Sequence, residues 1–399
     1  MKIGMILEEY FPEDIRVSKE TKALLKDGYE VYLLCMRRKN EKPFETMENG
    51  LNIIRVELPS KQSNIGLFYR AINAFIFNHP LWQKEIEKFL IKYKIDILHV
   101  HDLPLFGTTN RVAKKHNKKI IVDLHENYPD GLQVWSIWRK DFKSKYIYPI
   151  LSNYARWLRF EKFACEKADK IIVVVKEMQE RLKKKHDIDL SKVTIVSNTE
   201  EKEFASLAED ERIIKEFKNK FIVSYIGGVG YHRGIDTTIK AFNKINNENI
   251  TLMIVGGMNS DIKKHLDKIT TNTNIIYTGQ VPFEKVFSYI KASQICLVPH
   301  NNTEHTNHTV PHKLFQYMLA KRAVLVSDCK PLKRIVEESN SGLIFKANDH
   351  EDMKNKIDFM YNNPEVLKES AISGFHYANE INNFEKDALS LCNLYKEIK

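Results

Sequence analysis

Four histidines fall within one polar loop: His300, His305, His308 and His312. An apolar run at residues 295–298 precedes this loop, and a helical pattern begins at residue 313. Imidazole is the commonest metal ligand in proteins, so the histidines could hold a metal ion. The loop contains no cysteine or aspartate, however, and its spacing matches no standard zinc pattern. We therefore expect no metal here.

The same loop suits a phosphate or another polar ligand. It lies between a strand pattern and a helix pattern, and the first turn of a helix presents unpaired N–H groups and a partial positive charge. A second candidate lies at residues 227–234, where Gly227, Gly228 and Gly230 follow an apolar run and Arg233 precedes a helical pattern. Glycines let the backbone approach a pyrophosphate closely, and an arginine can pair with it. Alone, Gly-Gly-x-Gly is a weak pattern.

The first half of the chain has its own histidines at predicted strand ends. His99, His101 and Asp102 end one apolar run, and His125 and Glu126 follow the next. The two-residue period of a strand places His99 and His101 on one face and Asp102 on the other. These residues could form half of a hydrolase metal site, or be buried core histidines. Against the metal interpretation, His125 and Glu126 are adjacent and so point apart.

Short apolar runs alternate with helical patterns through both halves of the chain, which predicts two Rossmann-like, doubly wound parallel sheets facing a cleft. We expect an N-terminal domain at residues 1–205, a second domain at 206–378, and a C-terminal helix at 379–399 that packs back on the first. Ligands should bind outside the carboxyl ends of the strands. The predicted strands of the first half are residues 3–7, 30–35, 51–56, 95–100, 119–124, 170–175 and 193–196. The pattern restarts with a strand at residue 221 and continues with strands at 251–255, 275–277, 295–298 and 323–327.

Composition limits the class of protein. With 399 residues, 43% apolar and 29% charged, the chain is typical of a globular protein of two domains. No apolar run is long enough to span a membrane, and the first run is broken at Glu8 and Glu9, which predicts a strand rather than a signal peptide and a cytoplasmic location. The five cysteines are scattered, which predicts reduced thiols.

A net charge of +10 suggests an anionic partner, although lysine-rich surfaces are often merely solvated. Residues 135–163 interleave aromatic side chains with seven lysines and arginines. This pattern favours an anionic membrane surface; it would also suit single-stranded nucleic acid or a helix with an aromatic core. A second aromatic stretch covers residues 67–82. We expect a membrane contact through 135–163, a lipid-attached acceptor and no nucleic-acid partner.

The segment PHKLFQYMLA at residues 311–320 resembles the P-x-K-L-F-E-Y-M-A segment of glycosyltransferase family 4. That resemblance implies a retaining enzyme of the GT-B fold that uses nucleotide sugars. In the family, two glutamates separated by seven residues straddle this segment, and the second holds the ribose of the donor. Here these positions are His308 and Gln316, so both carboxylates are absent.

Further short motifs resemble the family and arrive in its order. DIRV contains Asp14 and Arg16, and HVHD and DLHE end two predicted strands. The glycine-rich segment resembles the diphosphate loop, with Arg233 in place of a lysine and Gly228 where many members carry an arginine. The turn at Val281 resembles the segment that lines the nucleobase. Their joint order is the strongest support for the resemblance.

The resemblance implies three groups of site residues. The catalytic centre would contain His125, with His101 and Asp102 beside it. The acceptor side would contain Asp14, Arg16 and Glu126. The donor site would contain Gly227, Gly228, Arg233, Val281, His308, Thr309, Val310, Lys313 and Gln316.

The implied reaction transfers a sugar from a nucleoside-diphosphate sugar, with a UDP-sugar favoured, to a lipid-linked or glycan acceptor in surface polysaccharide or glycolipid synthesis. Arg233 and Lys313 would stabilise the departing diphosphate, so neither a metal nor another cofactor is expected. On this basis Gln316→Glu should strengthen donor binding. The alternatives are a GT-B protein that binds nucleotide or glycan without transfer, and a metal-dependent hydrolase that uses the histidines.

Overall fold

The chain forms two compact units in a computed structural model that describes every residue except 61–62, 136, 138–147 and 399. The first unit contains Met1–Ser197 together with the chain from Lys386 onward, and the second contains Asn198–Glu385. Within the part of the chain that is described, no helix is both long enough and apolar enough to cross a bilayer.

The first unit is built on an eight-stranded sheet in the order β3-β4-β2-β1-β5-β6-β7-β8. All neighbouring strands are parallel except the antiparallel pair β3 and β4. The order reverses between β1 and β5, which is where a doubly wound sheet opens a crevice. The strands are β1 (Lys2–Tyr10), β2 (Glu30–Met36), β3 (Phe44–Thr46), β4 (Asn52–Val56), β5 (Ile97–His101), β6 (Lys119–Leu124), β7 (Lys170–Val173) and β8 (Val193–Ile195).

Helices connect these strands, and local sequence explains where several of them begin. The first helix starts after Asp14, whose carboxylate accepts a hydrogen bond from the N–H of Val17. The third begins at Pro80, which tolerates the first helical turn because it has no N–H to leave unpaired. The helices are α1 (Ile15–Lys26), α2 (Asn64–Ile76), α3 (Pro80–Tyr93), α4 (Phe106–Lys115), α5 (Tyr128–Trp135), α6 (Tyr148–Leu151), α7 (Tyr154–Lys167) and α8 (Lys176–His186).

The second unit repeats the doubly wound pattern with six parallel strands in the order β11-β10-β9-β12-β13-β14. Its strands are β9 (Phe221–Ile226), β10 (Ile250–Val255), β11 (Ile275–Gly279), β12 (Ile295–Val298), β13 (Ala323–Ser327) and β14 (Gly342–Phe345). Its helices are α9 (Glu211–Phe217), α10 (Ile235–Phe242), α11 (Ser260–Ile269), α12 (Phe283–Lys291), α13 (Lys313–Leu319), α14 (Lys330–Ser339), α15 (His350–Asn362) and α16 (Pro364–His376). The predicted pair of parallel-sheet α/β domains is confirmed.

The last helix, α17 (Phe384–Ile398), belongs to the first unit from Lys386 onward. Its apolar stripe is part of the buried core that also contains residues of β1 and β2. The hydroxyl of Tyr395 lies 2.8 Å from Nδ1 of His99 on β5. The stripe consists of Leu391, Cys392, Leu394, Tyr395 and Ile398.

The observed unit boundary lies between Ser197 and Asn198, earlier than the predicted boundary after residue 205. Side-chain bonds explain the difference, because Asn198 donates to the carbonyl of Val310 and Glu200 accepts from Gln316. Residues 379–385, expected with the final helix, also belong to the second unit. There the backbone N–H of Phe384 donates to the carbonyl of Glu200.

Candidate active site

Two loops meet at the carboxyl edge of the second sheet, one after β9 and one after β12. These strands are neighbours at which the strand order reverses, the place where open α/β sheets bind ligands. The N–H of Asn301 donates to the carbonyl of His232 at 3.0 Å, which ties the loops together. Gly234 has φ +66°, and a Cβ there would lie 1.8 Å from the carbonyl oxygen of Pro299. The approach of the two loops therefore requires glycine at this position.

Two cations converge between these loops. The Nζ atom of Lys313 lies 3.8 Å from the centre of the Tyr225 ring, and a Cβ at Gly227 would be only 2.6 Å from it. Burial and, next, the charge of Arg233 lower the pKa of Lys313 well below its usual range. Within the described chain, neither cation forms an ion pair with a carboxylate. An anion bound between Lys313 and Arg233 would offset this repulsion and favour the protonated form of Lys313.

Neutral histidines support Arg233. Its Nη1 donates to Nε2 of His300 at 3.0 Å. Burial and the charge of Arg233 lower the pKa of His300 well below its usual range, and the same causes lower the pKa of His232 to about 2. These imidazoles are therefore uncharged at neutral pH. They orient the guanidinium without adding positive charge to a crowded site.

The remaining loop histidines have separate partners. Nδ1 of His308 lies 2.6 Å from the carbonyl of Glu304, and Nδ1 of His312 lies 3.4 Å from the carbonyl of Thr199. His305 instead places its ring 5.5 Å from that of His232. Throughout the residues that the structure describes, the four loop histidines do not gather their ligand atoms into a metal-ligating group. The expectation that this loop binds no metal stays a prediction.

The amide of Gln316 pairs with a carboxylate that the sequence pattern did not indicate. Its Nε2 donates to Oε2 of Glu200 at 2.9 Å, and both side chains are buried. Glu200 follows β8 and is 116 residues away in sequence. A carboxylate therefore lies beside position 316, although a different segment supplies it. The only sequence signal is the polar run after a predicted strand end.

The other predicted donor residues lie on the same edge of the second sheet. Gly228 accepts a hydrogen bond from the hydroxyl of Tyr225 at 2.7 Å, and open space lies where its Cβ would be. Val281 follows β11, and Thr309 lies beside the buried Val310 in the loop after β12. The carbonyl of Val310 accepts from Asn198, so this residue also holds the loop in place.

In the first unit, a cavity of about 640 Å³ opens at the carboxyl ends of β1 and β5. Three predicted site residues, His101, Asp102 and Glu126, line it. Asp102 directly follows β5 and has φ 63°, a left-handed conformation that aspartate adopts more readily than most residues. Other lining residues add two acidic groups, one cation and four aromatic rings: Glu8, Glu9, Arg70, Tyr128, Trp135, Tyr148 and Trp157.

His125 lies between two carboxylates. Its Nε2 is 3.1 Å from Oδ2 of Asp123, and its Nδ1 is 3.6 Å from Oδ2 of Asp102. Burial alone would lower the pKa of His125, but Asp102 and Asp123 together raise it to about 10. His101, whose Nδ1 is 3.1 Å from Nε2 of His125, has a lowered pKa because it is buried. His125 is therefore a cation at neutral pH, suited to donate hydrogen bonds and not to act as a base.

Arg16, which was expected on the acceptor side, lies buried inside the first unit. Its Nε and Nη2 donate to both oxygens of Asp123 at 2.9 and 2.8 Å, and its Nη1 donates to the carbonyl of Val196. Nη2 also lies 3.0 Å from Oε1 of Glu20. Only 4% of Arg16 is exposed, so it acts on a ligand only through Asp123 and His125. Asp14, predicted beside it, caps α1.

Glu20, His99, His101 and Asp123 bring one potential ligand atom each within 4.8 Å of one another. All four side chains are buried, which is a set that could hold a metal ion. Arg16 already supplies positive charge to both carboxylates, and burial raises the pKa of Glu20 to about 8. Sequence reasoning missed Glu20 and Asp123. The available signals were an aspartate inside an apolar strand and a glutamate one helical turn after Arg16.

The charge on His125 leads to a pH-dependent prediction. Its folded pKa of about 10 exceeds the usual 6.5, so its stabilising effect is complete below pH 6.5 and is lost as the pH rises to 10. We expect His125→Gln to lower the free energy of unfolding by roughly 3 kcal/mol at pH 7 and by much less at pH 10. Urea unfolding of both proteins at the two pH values measures this. An equal loss at both would show that His125 is neutral in the folded state.

Comparison with known families supports this arrangement. A family model described as Glycosyltransferase Family 4 matches residues 16–199, and one described as Glycosyl transferases group 1 matches residues 207–373. The glycosyltransferase MJ1069 of Methanocaldococcus jannaschii is 24% identical over 393 residues, which cover 97% of this chain and 93% of that protein. The probable glycosyltransferase WbjE of Pseudomonas aeruginosa is 25% identical over 247 residues, covering 60% of this chain and 59% of that protein.

Solved structures show the same fold. Sucrose-phosphate synthase from Thermosynechococcus elongatus aligns with a TM-score of 0.82 at 17% identity, over 100% of this chain and 99% of that one. HepE of Anabaena, solved in complex with UDP-glucose, aligns with a TM-score of 0.74 at 12% identity over 100% of both chains. The two family matches together cover most of the sequence, in the order of the two units. The chain therefore belongs to the glycosyltransferases of the GT-B fold, with a family 4 domain followed by a group 1 domain.

Proposed function

We propose that the protein is a retaining glycosyltransferase that transfers a sugar from a UDP-sugar to a lipid-linked or glycan acceptor in surface polysaccharide or glycolipid synthesis. The observation that carries this proposal is the pair of cations at the switch point of the second sheet. Arg233 and Lys313 converge there, and the described chain offers neither of them a carboxylate. The diphosphate of a nucleotide sugar would supply the missing negative charge.

Support for uridine as the base comes from the related structures. HepE of Anabaena was solved with UDP-glucose, and a trehalose-6-phosphate synthase of E. coli with UDP-2-fluoro glucose. The diphosphate would lie against Gly227 and Gly228, with Val281 on the side of the base. Next to it, Gln316 and Glu200 provide an amide and a carboxylate for the ribose hydroxyls.

Departure of the diphosphate creates negative charge that fixed cations can stabilise. Lys313 and Arg233 are held by packing and by the neutral His300, so little reorganisation is needed during the reaction. This arrangement needs no divalent metal for the leaving group. In the first unit His125, as a cation between Asp102 and Asp123, would hold these two carboxylates in place and would not remove a proton.

The cavity of the first unit is the proposed acceptor site. Among the described residues, its charged lining is mostly acidic, with Glu8, Glu9, Asp102 and Glu126 against Arg70. Carboxylates accept hydrogen bonds from hydroxyl groups, and aromatic rings offer flat apolar faces to a sugar ring. A phosphate would be repelled by most of these groups. The acceptor group held here is therefore rich in hydroxyls, and any lipid diphosphate lies outside the cavity.

We also propose that the protein lies in the cytoplasm at the inner face of the cell membrane. The sequence stretch expected to make this contact is residues 135–163, of which 136 and 138–147 lie outside the described residues. The described part supplies two arginines of helix α7, Arg156 and Arg159, beside aromatic side chains. Basic groups next to aromatic rings suit an anionic membrane surface.

Thermal unfolding of the purified protein tests the donor class. UDP, GDP, CDP and ADP are each added with and without EDTA, because a ligand that binds only the folded state raises the unfolding midpoint. We expect UDP to raise it by several degrees and EDTA to leave that shift unchanged. If no nucleotide raises the midpoint, the proposal fails. If EDTA abolishes the shift, the proposal that the diphosphate leaves without a divalent metal fails.

Retention and transfer need their own measurement. The protein is mixed with the UDP-sugar that binds and with a glycan acceptor, and the anomeric configuration of the product is determined by NMR. Retained configuration supports the proposed reaction, and inverted configuration contradicts it. Binding of UDP without transfer to any glycan or lipid-linked acceptor would favour a GT-B protein that only binds its ligand.

A further inference from the structure

A second cavity of the first unit has an apolar floor and a basic rim. We call it the basic groove, and its volume is about 420 Å³, within the range of small-ligand pockets. Helices α4 and α7 and the end of α2 form it. Its floor consists of Ile76, Phe77, Phe160 and Phe163, and its rim of Arg111, Lys114, Arg156 and Arg159.

The floor is a stack of aromatic rings. The ring of Phe77 lies parallel to that of Phe160 with 3.7 Å between centres, and Phe163 continues the stack at 6.0 Å from Phe160. Gly107 on α4 permits this packing, because a Cβ there would lie 2.1 Å from the carbonyl oxygen of Phe77. The floor remains open to solvent at Ile76, which is 54% exposed. Among the described residues, this stack presents an apolar surface that is partly open to solvent.

Helix α2 extends the apolar surface beyond the groove. Ile65, Phe68, Phe75 and Ile76 follow helical spacing along one face, and more than half of each side chain is exposed. An exposed contiguous apolar face of this kind marks an interaction surface. This exposed face runs directly into the groove, because Ile76 belongs to both.

The rim carries positive charge, and Nη2 of Arg156 donates hydrogen bonds to the carbonyl oxygens of Ile150 and Leu151. Its four cations come from α4 and α7, the groove lining contains no acidic residue, and none of the four forms an ion pair within the described chain. The guanidinium of Arg156 lies 4.5 Å from the centre of the Phe75 ring, and its buried Nε has no hydrogen-bond partner. Burial and the nearby Arg159 lower the pKa of Arg156. An anion at the rim would relieve this repulsion.

We propose that the basic groove binds an acidic phospholipid of a bilayer, with the phosphate at the arginine rim and the acyl chain on the phenylalanine floor. The exposed face of α2 then inserts beside it at the level of the headgroups. Charge complementarity favours this occupant, because a ligand that satisfies both floor and rim must be anionic at one end and apolar at the other. This proposal rests on the proposed function, which places the acceptor at the membrane, and it names the lipid that the protein would bind there.

Vesicle flotation with the full-length protein tests the proposal. The vesicles contain phosphatidylcholine alone or phosphatidylcholine with phosphatidylglycerol. We expect binding only to the acidic vesicles, and expect Arg111→Ala/Arg159→Ala to weaken it about 30-fold. Both arginines are exposed and lack ion pairs, so the variant should fold normally, which its thermal midpoint verifies. The matched control Lys39→Ala/Lys184→Ala removes the same charge from exposed sites elsewhere and should bind as the wild type does.

A second variant, Ile65→Ser/Phe68→Ser, removes exposed apolar side chains and keeps every charge. We expect it also to lose binding to acidic vesicles, by about tenfold or more. The proposal is overturned if the wild-type protein ignores acidic vesicles, or if the groove variants bind as tightly as the control. It is also overturned if inorganic phosphate or single-stranded DNA displaces the protein at physiological salt, since the groove would then serve a free anion or nucleic acid. The UDP shift is measured without membranes, so failure of the donor proposal is a separate result.

Discussion

Replacing Lys313 by methionine is expected to weaken UDP binding by about 100-fold and, at the same time, to raise the thermal midpoint of the ligand-free protein. A charge-assisted hydrogen bond to phosphate contributes about 1.5–3 kcal/mol, which accounts for the loss. The gain follows because Lys313 is packed against Tyr225 and Gly227, and its positive charge is opposed by burial and by Arg233. Methionine is unbranched and only one atom shorter than lysine, and it removes that repulsion.

Weaker UDP binding together with a higher thermal midpoint of the free protein is the combination expected of a lysine that serves an anion site. Isothermal titration with UDP measures the first effect, and thermal unfolding without ligand measures the second. The control Lys240→Met alters an exposed lysine on α10 of the same unit and should change neither quantity. If Lys313→Met destabilises the free protein and leaves UDP affinity unchanged, Lys313 is a structural residue and the diphosphate lies elsewhere.

The alternation of apolar runs was sufficient to predict both parallel sheets, because strands buried on both faces must be continuously apolar. Two edge strands escaped this signal. All three residues of β3 are exposed, so Phe44–Thr46 contains no apolar run. The strand β14 has only three apolar residues after Gly342. Edge strands are short and need not be apolar, so a pattern of buried runs can miss them, although it did find the edge strands β8 and β11.

Some residues of the candidate site could likewise be predicted from the sequence, and others could not. Cations and glycines next to strand ends were visible in the sequence because their positions are local, as with Arg233 and Lys313. The partners Asp123 and Glu200 were not visible. Each depends on contacts between segments far apart in the chain, such as the 107 residues between Arg16 and Asp123. Spacing along one segment carries no information about such pairs. The role of Arg16, which is buried and donates to Asp123 beside His125, is therefore evident only in the folded structure.

The pair of Glu200 and Gln316 changes the expectation for Gln316→Glu. From the sequence alone, this substitution should strengthen donor binding by restoring a carboxylate. In the structure a buried carboxylate already lies 2.9 Å from the amide nitrogen of Gln316. A second one would remove that hydrogen bond and place two like charges together, so one must take up a proton. We expect Gln316→Glu to lower the free energy of unfolding by about 2 kcal/mol at pH 7 and to weaken UDP binding.

Exchanging the two groups provides the decisive control. In Glu200→Gln/Gln316→Glu the amide and the carboxylate trade places, so one hydrogen-bonded pair is retained. We expect its unfolding free energy to return to within about 0.5 kcal/mol of the wild type, whereas Glu200→Gln alone should not recover it. Urea unfolding and UDP titration of all three variants complete the cycle. Tighter UDP binding by Gln316→Glu without loss of stability would show that Glu200 is not its partner and that position 316 needs its own carboxylate. Recovery of stability without recovery of UDP affinity would show instead that the pair supports the loop and that the ribose lies elsewhere.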